Sequence, residues 1–225
     1  MGIHLQSGWS VSSQGGADLQ RYTVSIEFTR QAAQVLQPWD AGYQPTGGDD
    51  VQAAVLVPLF FKQGIPHLLL TKRASHLRRH RGEVAFPGGR RDPQDISPVM
   101  TALREAQEEI GLPAEQVLVL GLLETFATHT GFRITPVVGV IPYPMEFRLD
   151  DRETEALIEV PLPVIARTEA REVRQFIVNH RLRNVYFFHH ADRDPIWGAS
   201  GYIVQQFLDV VYPLVIADLA GEAVF

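Results

Sequence analysis

Apolar and polar positions along this chain fall into short blocks whose spacing predicts most of its elements. Residues 53–61 are an almost unbroken apolar run, the pattern of a strand buried on both faces. Lys62-Gln63-Gly64 turns the chain, and residues 67–71 return as a second strand. Residues 116–127 and 132–141 read as a further strand pair around Thr128-His129-Thr130-Gly131, and residues 172–178 and 184–189 as two more strands. A final helix over residues 199–214 places Ile203, Phe207, Val210 and Val211 on one side. Strands mixed with a few helices, and no internal repeat, predict one α/β domain over residues 51–225.

The first fifty residues read differently. Residues 6–17 are rich in Ser, Gly and Gln and are expected to form a mobile tail. Residues 23–37 could hold a short strand and then a helix, and residues 38–50 are dense in turn formers, as in a linker. Residues 1–50 are therefore expected to be an N-terminal extension and linker, flexible in part.

The best-defined element is the helix predicted over residues 97–113. Ser97 is a natural N-cap, Pro98 suits the first turn, Gly111 can close the helix in a left-handed conformation, and Pro113 blocks continuation. Val99, Leu103, Ala106 and Ile110 make a core-facing stripe. Glu105, Glu108 and Glu109 stand at i, i+3 and i+4 on the other side, where like charges destabilise a helix by a few tenths of a kcal/mol per pair. They also lie toward the C-terminal half, where the helix dipole disfavours negative charge. A solvated acidic face near Arg104 is one reading. A site for a hard divalent cation is the other, and a bound cation would offset both penalties. Just upstream, Gly88-Gly89 allows close approach of backbone to a ligand, although paired glycines are more often a tight turn.

Charge sharpens this picture. The chain has 225 residues, 45% of them hydrophobic, and a formal net charge of −6. Seven basic residues (Lys72, Arg73, Arg78, Arg79, Arg81, Arg90, Arg91) and one acid, Glu83, fall between positions 72 and 91. A basic island on an acidic chain suits a small anionic ligand and argues against a nucleic-acid partner. The absence of cysteine excludes disulfides, thiolate metal sites and a cysteine nucleophile. No apolar run approaches the roughly 18 residues of a membrane span, and no signal peptide is visible, so a soluble, cytoplasmic protein without a membrane partner is expected. There is neither a P-loop nor a defensible Ser-His-Asp set. His76 and His80 are expected to be structural or solvent-facing, His189 and His190 to lie on opposite strand faces, and Trp197 and Phe207 to belong to the core.

Gly89, then Asp95, then Arg104-Glu105-Ala106-Gln107-Glu108-Glu109-Ile110-Gly111-Leu112, resembles the Nudix box, G-x5-E-x7-R-E-U-x-E-E-x-G-U with U apolar. The second half matches at every fixed position. The first half has one extra residue, and Asp95 stands where the family has Glu. Leu69-Leu70-Thr71-Lys72-Arg73-Ala74, Arg78, Gly82 and Phe86-Pro87-Gly88-Gly89 resemble the coenzyme A pyrophosphatase branch, as do residues 131–139, Val160-Pro161-Leu162 and Ile196-Trp197-Gly198. The resemblance implies an α/β/α sandwich with a mixed sheet and Mg²⁺ or Mn²⁺ held by Glu105, Glu109, Glu108 and the Gly89 carbonyl. It implies catalytic roles for Glu105, Glu108 and Arg104, with Glu153 a further candidate for general base. Substrate phosphates would meet Arg73, Arg78, Arg79 and Arg81, whose guanidinium groups suit bidentate capture. The reaction implied is hydrolysis of coenzyme A or its derivatives to 3′,5′-ADP and (acyl-)phosphopantetheine, by a protein that could be a homodimer. Hydrolysis of ADP-ribose, NADH or another nucleoside diphosphate derivative is the alternative, and a non-catalytic Nudix binding module a third reading.

Overall fold

The long apolar run forms strand β1 (Val51–Lys62), which reverses into the antiparallel β2 (Ile65–Arg73). The chain is described by a computed structural model covering residues 24–43, 50–76, 82–178, 181–191 and 194–222. Lys62 faces Ile65 across the turn, and its two central residues, Gln63 and Gly64, have φ of 53° and 75°. Positive φ at both positions matches the right-handed twist of a hairpin, which is why a glycine sits there.

On the other side of β1 runs β7 (Phe132–Val140), parallel to it over its whole length, with β5 (Leu118–Leu122) antiparallel beyond. Short strands β3 (Val84–Ala85), β4 (Gly88–Arg90) and β6 (Phe126–Ala127) pair with β2, β1 and β7, and β8 (Thr154–Pro161) also pairs with β2. The result is one mixed eight-stranded sheet. A separate hairpin, β9 (Arg171–Val178) and β10 (Arg181–Phe188), stands apart from it, after the single helical turn α3 (Leu162–Ile165).

Alternation along β1 divides the core. Ala54, Leu56 and Phe60 join the apolar stripe of helix α2 (Pro98–Ile110). Val57, Leu59 and Phe61 face the opposite way, into a layer built by α1 (Ile26–Val35), α4 (Gly198–Val210) and α5 (Tyr212–Glu222). A strand covered on both sides needs apolar residues at every position, hence the unbroken run. Each such side chain, fully buried, contributes about 1.5–3 kcal/mol to folding. The architecture is an α/β/α sandwich with a mixed sheet.

Four side chains ahead of β1, Val24, Phe28, Ala32 and Leu36, are buried in the second layer, and Ser25 bonds Asp218 on α5. The residues before the sheet thus supply part of the core. The short strand expected before α1 is not formed by the described residues there: Ser25 caps the helix directly, accepting from the Phe28 N–H at 2.9 Å. The expected final helix is two, α4 and α5, bent by 44° where Val211 interrupts them. No single helix among the described residues is long and apolar enough to cross a membrane. Phe207 is fully buried as expected, but Trp197 is 44% exposed and stacks on Phe187 at 5.7 Å instead of entering the core. It precedes α4 at the surface, as that helix's N-cap residue.

Candidate active site

Helix α2 begins where Ser97 Oγ accepts from the Met100 N–H at 3.3 Å, with Pro98 in the first turn. It ends at Gly111, whose φ of 68° and ψ of 24° place it in the left-handed region that a glycine enters without cost. Between these caps, Val99, Leu103, Ala106 and Ile110 are buried against β1, and this fixes the rotation of the helix. Its acidic side consequently lies along β4. That strand is held on β1 by its pairing and by the Leu56 N–H, which donates to the Pro87 carbonyl at 2.8 Å.

The three glutamates separate into two environments. Glu105 presses on the glycine strand so closely that a Cβ built on Gly89 would stand 2.5 Å from its carboxyl carbon and both oxygens. Any side chain at position 89 would have to displace that carboxylate. Glu109, with 5% of its side chain exposed, accepts a long hydrogen bond from the Gly88 N–H at 3.4 Å and lies 3.9 Å from Arg73. Glu108 points outward, 59% exposed, and is tied to Arg104 at 3.1 Å. Among the described residues no three His, Asp or Glu side chains already meet around one point. The cluster is a pair of carboxylates at Gly88–Gly89 with a third on the rim.

Electrostatics bear on what that pair can hold. Burial pushes the Glu109 carboxyl up to about 8, and repulsion from Glu153 and Glu105 adds to the shift, against Arg73 and the Gly88 N–H. Burial likewise raises Glu105, assisted by Glu108 and Glu153 and opposed by Arg104. Two desolvated, mutually repelling carboxylates beside backbone that no Cβ covers form a hard-oxygen donor set short of positive charge. That donor set fits a divalent cation.

Arg104 organises the helix side of the site. Its Nη1 donates to Glu105 at 3.0 Å and to Glu108 at 3.1 Å, and its Nη2 to the Arg90 carbonyl at 2.9 Å. Its anchor is Asp95, which accepts from Nη2 at 3.0 Å, from the Asp92 N–H at 2.9 Å and from the Thr101 hydroxyl at 2.7 Å. Burial pushes the Asp95 carboxyl up, but Arg104 and these two donors outweigh it and hold it below its ordinary value. Asp95, with Glu105 in support, in turn raises the Arg104 pKa. The residue whose sequence position departs from the box is therefore the buried counter-ion of the site's arginine. The signal for this was present: an acid two residues before the N-cap Ser97, with an arginine two turns into the helix.

Arg73 sits at the end of β2. Its Nη1 faces Glu109, while its Nε is buried without a hydrogen-bond partner among the described residues. Arg78, Arg79 and Arg81 lie outside the described residues, as does His80. Glu153 is near enough to raise both Glu105 and Glu109. His189 and His190 lie beyond the end of β10; His189 pairs with Glu172 at 3.2 Å and His190 is buried.

Residues 50–195 match the NUDIX domain family. The chain is 36% identical over 198 residues to the uncharacterized Nudix hydrolase NudL of Yersinia enterocolitica, covering 84% of this chain and 99% of that one. It is 39% identical over 163 residues to the NudL of Yersinia pestis, covering 71% and 79%. In fold it is similar to the crystal structure of a MutT/nudix family protein from Enterococcus faecalis, with a TM-score of 0.51 at 17% identity over 92% of this chain and 81% of that one. Taken with the carboxylates of α2 set against a glycine strand, these matches place the chain in the Nudix hydrolase family.

Proposed function

We propose that this Nudix hydrolase cleaves the diphosphate bridge of coenzyme A or its derivatives, releasing 3′,5′-ADP and (acyl-)phosphopantetheine. One observation carries the reading: a carboxylate pair, the partly buried Glu105 and the buried Glu109, meets the Gly88–Gly89 backbone next to Arg73, whose buried Nε has no hydrogen-bond partner among the described residues. A phosphate oxygen is the acceptor that such a guanidinium lacks. The choice of coenzyme A rests on the resemblance of residues 69–89 to that branch of the family and on the basic residues crowded into the same stretch.

Glu105 and Glu109 would hold Mg²⁺ or Mn²⁺, with Glu108 and the Gly89 carbonyl as further ligands. The ion would supply neutralisation of phosphate charge and a lower pKa for attacking water. The chain's own groups do the rest. Arg104 keeps Glu105 and Glu108 oriented through charge-assisted hydrogen bonds, and Arg73 binds a phosphate oxygen. Glu153, close enough to raise both Glu105 and Glu109, would accept a proton from water.

The test is a comparison of coenzyme A with 3′-dephospho-coenzyme A, products identified by mass. Coenzyme A should be turned over at least about tenfold faster in kcat/KM, because the 3′-phosphate adds one charge-assisted contact. Equal rates, or a preference for ADP-ribose or NADH, would overturn the substrate assignment. Gly89→Ala tests the geometry: displacing the Glu105 carboxyl by about 1 Å should cost on the order of a hundredfold in kcat. Near-normal turnover with an unchanged melting temperature would show that the contact does not matter.

A further inference from the structure

Tyr43 precedes residue 50, where the NUDIX match begins, yet it reaches the active-site helix: its hydroxyl donates to Thr101 Oγ1 at 2.7 Å. Thr101 is fully buried on α2 and donates in turn to Asp95 Oδ2 at 2.7 Å. That same oxygen accepts from Arg104 Nη2, and Arg104 Nη1 holds Glu105 and Glu108. A threonine hydroxyl has one proton and two lone pairs. With its proton committed to Asp95, Thr101 is polarised by what it accepts, and the donor is Tyr43. The Tyr43 ring is fixed separately. Arg91 lies over it at 4.8 Å, and the same guanidinium donates to the Asp95 carbonyl at 2.9 Å and to Gln52 Oε1 at 2.8 Å. The segment before the sheet thus clamps the loop between β4 and α2 from outside the matched region.

We propose that Tyr43 is a positioning residue: through Thr101 and Asp95 it fixes Arg104, and through Arg104 the carboxylates of Glu105 and Glu108. This rests on the Nudix site described above and extends it to a residue that touches neither substrate nor metal. Tyr43→Phe keeps the ring and the Arg91 stacking and removes only the hydroxyl. It should lower kcat about fivefold with KM for coenzyme A little changed, as expected for one neutral hydrogen bond at the head of a chain. Two further readouts do not depend on turnover. The exchange of the Arg104 Nε proton, followed by ¹⁵N NMR, should accelerate about fivefold. The half-saturating Mn²⁺ concentration, read from the electron paramagnetic resonance of the free ion, should rise about threefold. Thr101→Val breaks the same chain one link on, so Tyr43→Phe added to it should have no further effect on either readout. Unchanged Nε exchange in Tyr43→Phe, or effects that multiply in the double variant, would overturn the proposal. A wild-type protein that binds Mn²⁺ but hydrolyses no nucleoside diphosphate derivative would instead overturn the proposed function, with the exchange and Mn²⁺ measurements still deciding the role of Tyr43.

Discussion

Glu109→Gln is expected to reduce kcat/KM by about 10²–10³-fold, the cost of losing one preorganised charged group at the reacting centre, without lowering thermal stability. The two halves of this prediction share one physical origin. Glu109 is buried between α2 and β4, and its pKa, pushed up to about 8, says that desolvation and repulsion from Glu153 and Glu105 outweigh the attraction of Arg73. A carboxyl whose surroundings disfavour its charged form, and which a bound cation would ionise, is a feature of function, not of folding. Glutamine has the same shape, can still accept from the Gly88 N–H through its amide oxygen, and cannot ionise. Melting temperature measured without added metal should therefore stay level or rise. Hydrolysis of coenzyme A, measured at saturating Mg²⁺, should fall to near background. Turnover within tenfold of wild type would remove Glu109 from the site, and a large drop in melting temperature would mean that the carboxylate's few partners matter more than its desolvation.

Much of this was legible in the residues. The caps of α2 are written as Ser97-Pro98 and Gly111, and both act as such, because capping depends on local backbone and side-chain geometry alone. The apolar run of β1 announces a doubly covered strand for an equally local reason. The partition of the glutamates was not legible. Helical spacing puts Glu105, Glu108 and Glu109 on one side, but whether a carboxylate is buried depends on where β4 crosses the helix, and β4 is three residues paired to a strand more than thirty positions earlier. Nor was β8 anticipated: Glu155 and Glu159 give it the look of a loop, and they are the exposed half of a strand whose Thr154, Ile158 and Val160 are buried. The break between α4 and α5 was written in the sequence as Pro213, in the first turn of α5: it cannot donate a backbone N–H to the preceding turn and disfavours helical backbone at Tyr212, but the apolar pattern runs on through it and hides the stop.

Asp95 illustrates the same limit from the other direction. Measured against the family's box, it is a substitution in a loop one residue too long; in three dimensions the longer loop carries the shorter carboxylate to the arginine. Asp95→Ala should accordingly be the most destabilising change in the site. It removes the counter-ion of a guanidinium that is only 26% exposed and leaves the Asp92 N–H and the Thr101 hydroxyl without their acceptor. Breaking a buried pair from one side costs about 3–5 kcal/mol, and the partial exposure of Arg104 points to the lower end. Activity should fall about 10–100-fold as well, because Arg104 would no longer hold Glu105 in place. The pH dependence gives a second handle. The folded-state pKa of Asp95 lies below its ordinary value, so its contribution is fully present above that value and is lost as pH falls through the depressed one. Urea unfolding midpoints should thus separate wild type from Asp95→Ala widely at pH 7, and the gap should narrow steadily on acidification below the ordinary aspartate range. A gap that stays constant down to pH 2 would mean that the lost stability came from packing, and that the carboxylate charge does not anchor Arg104.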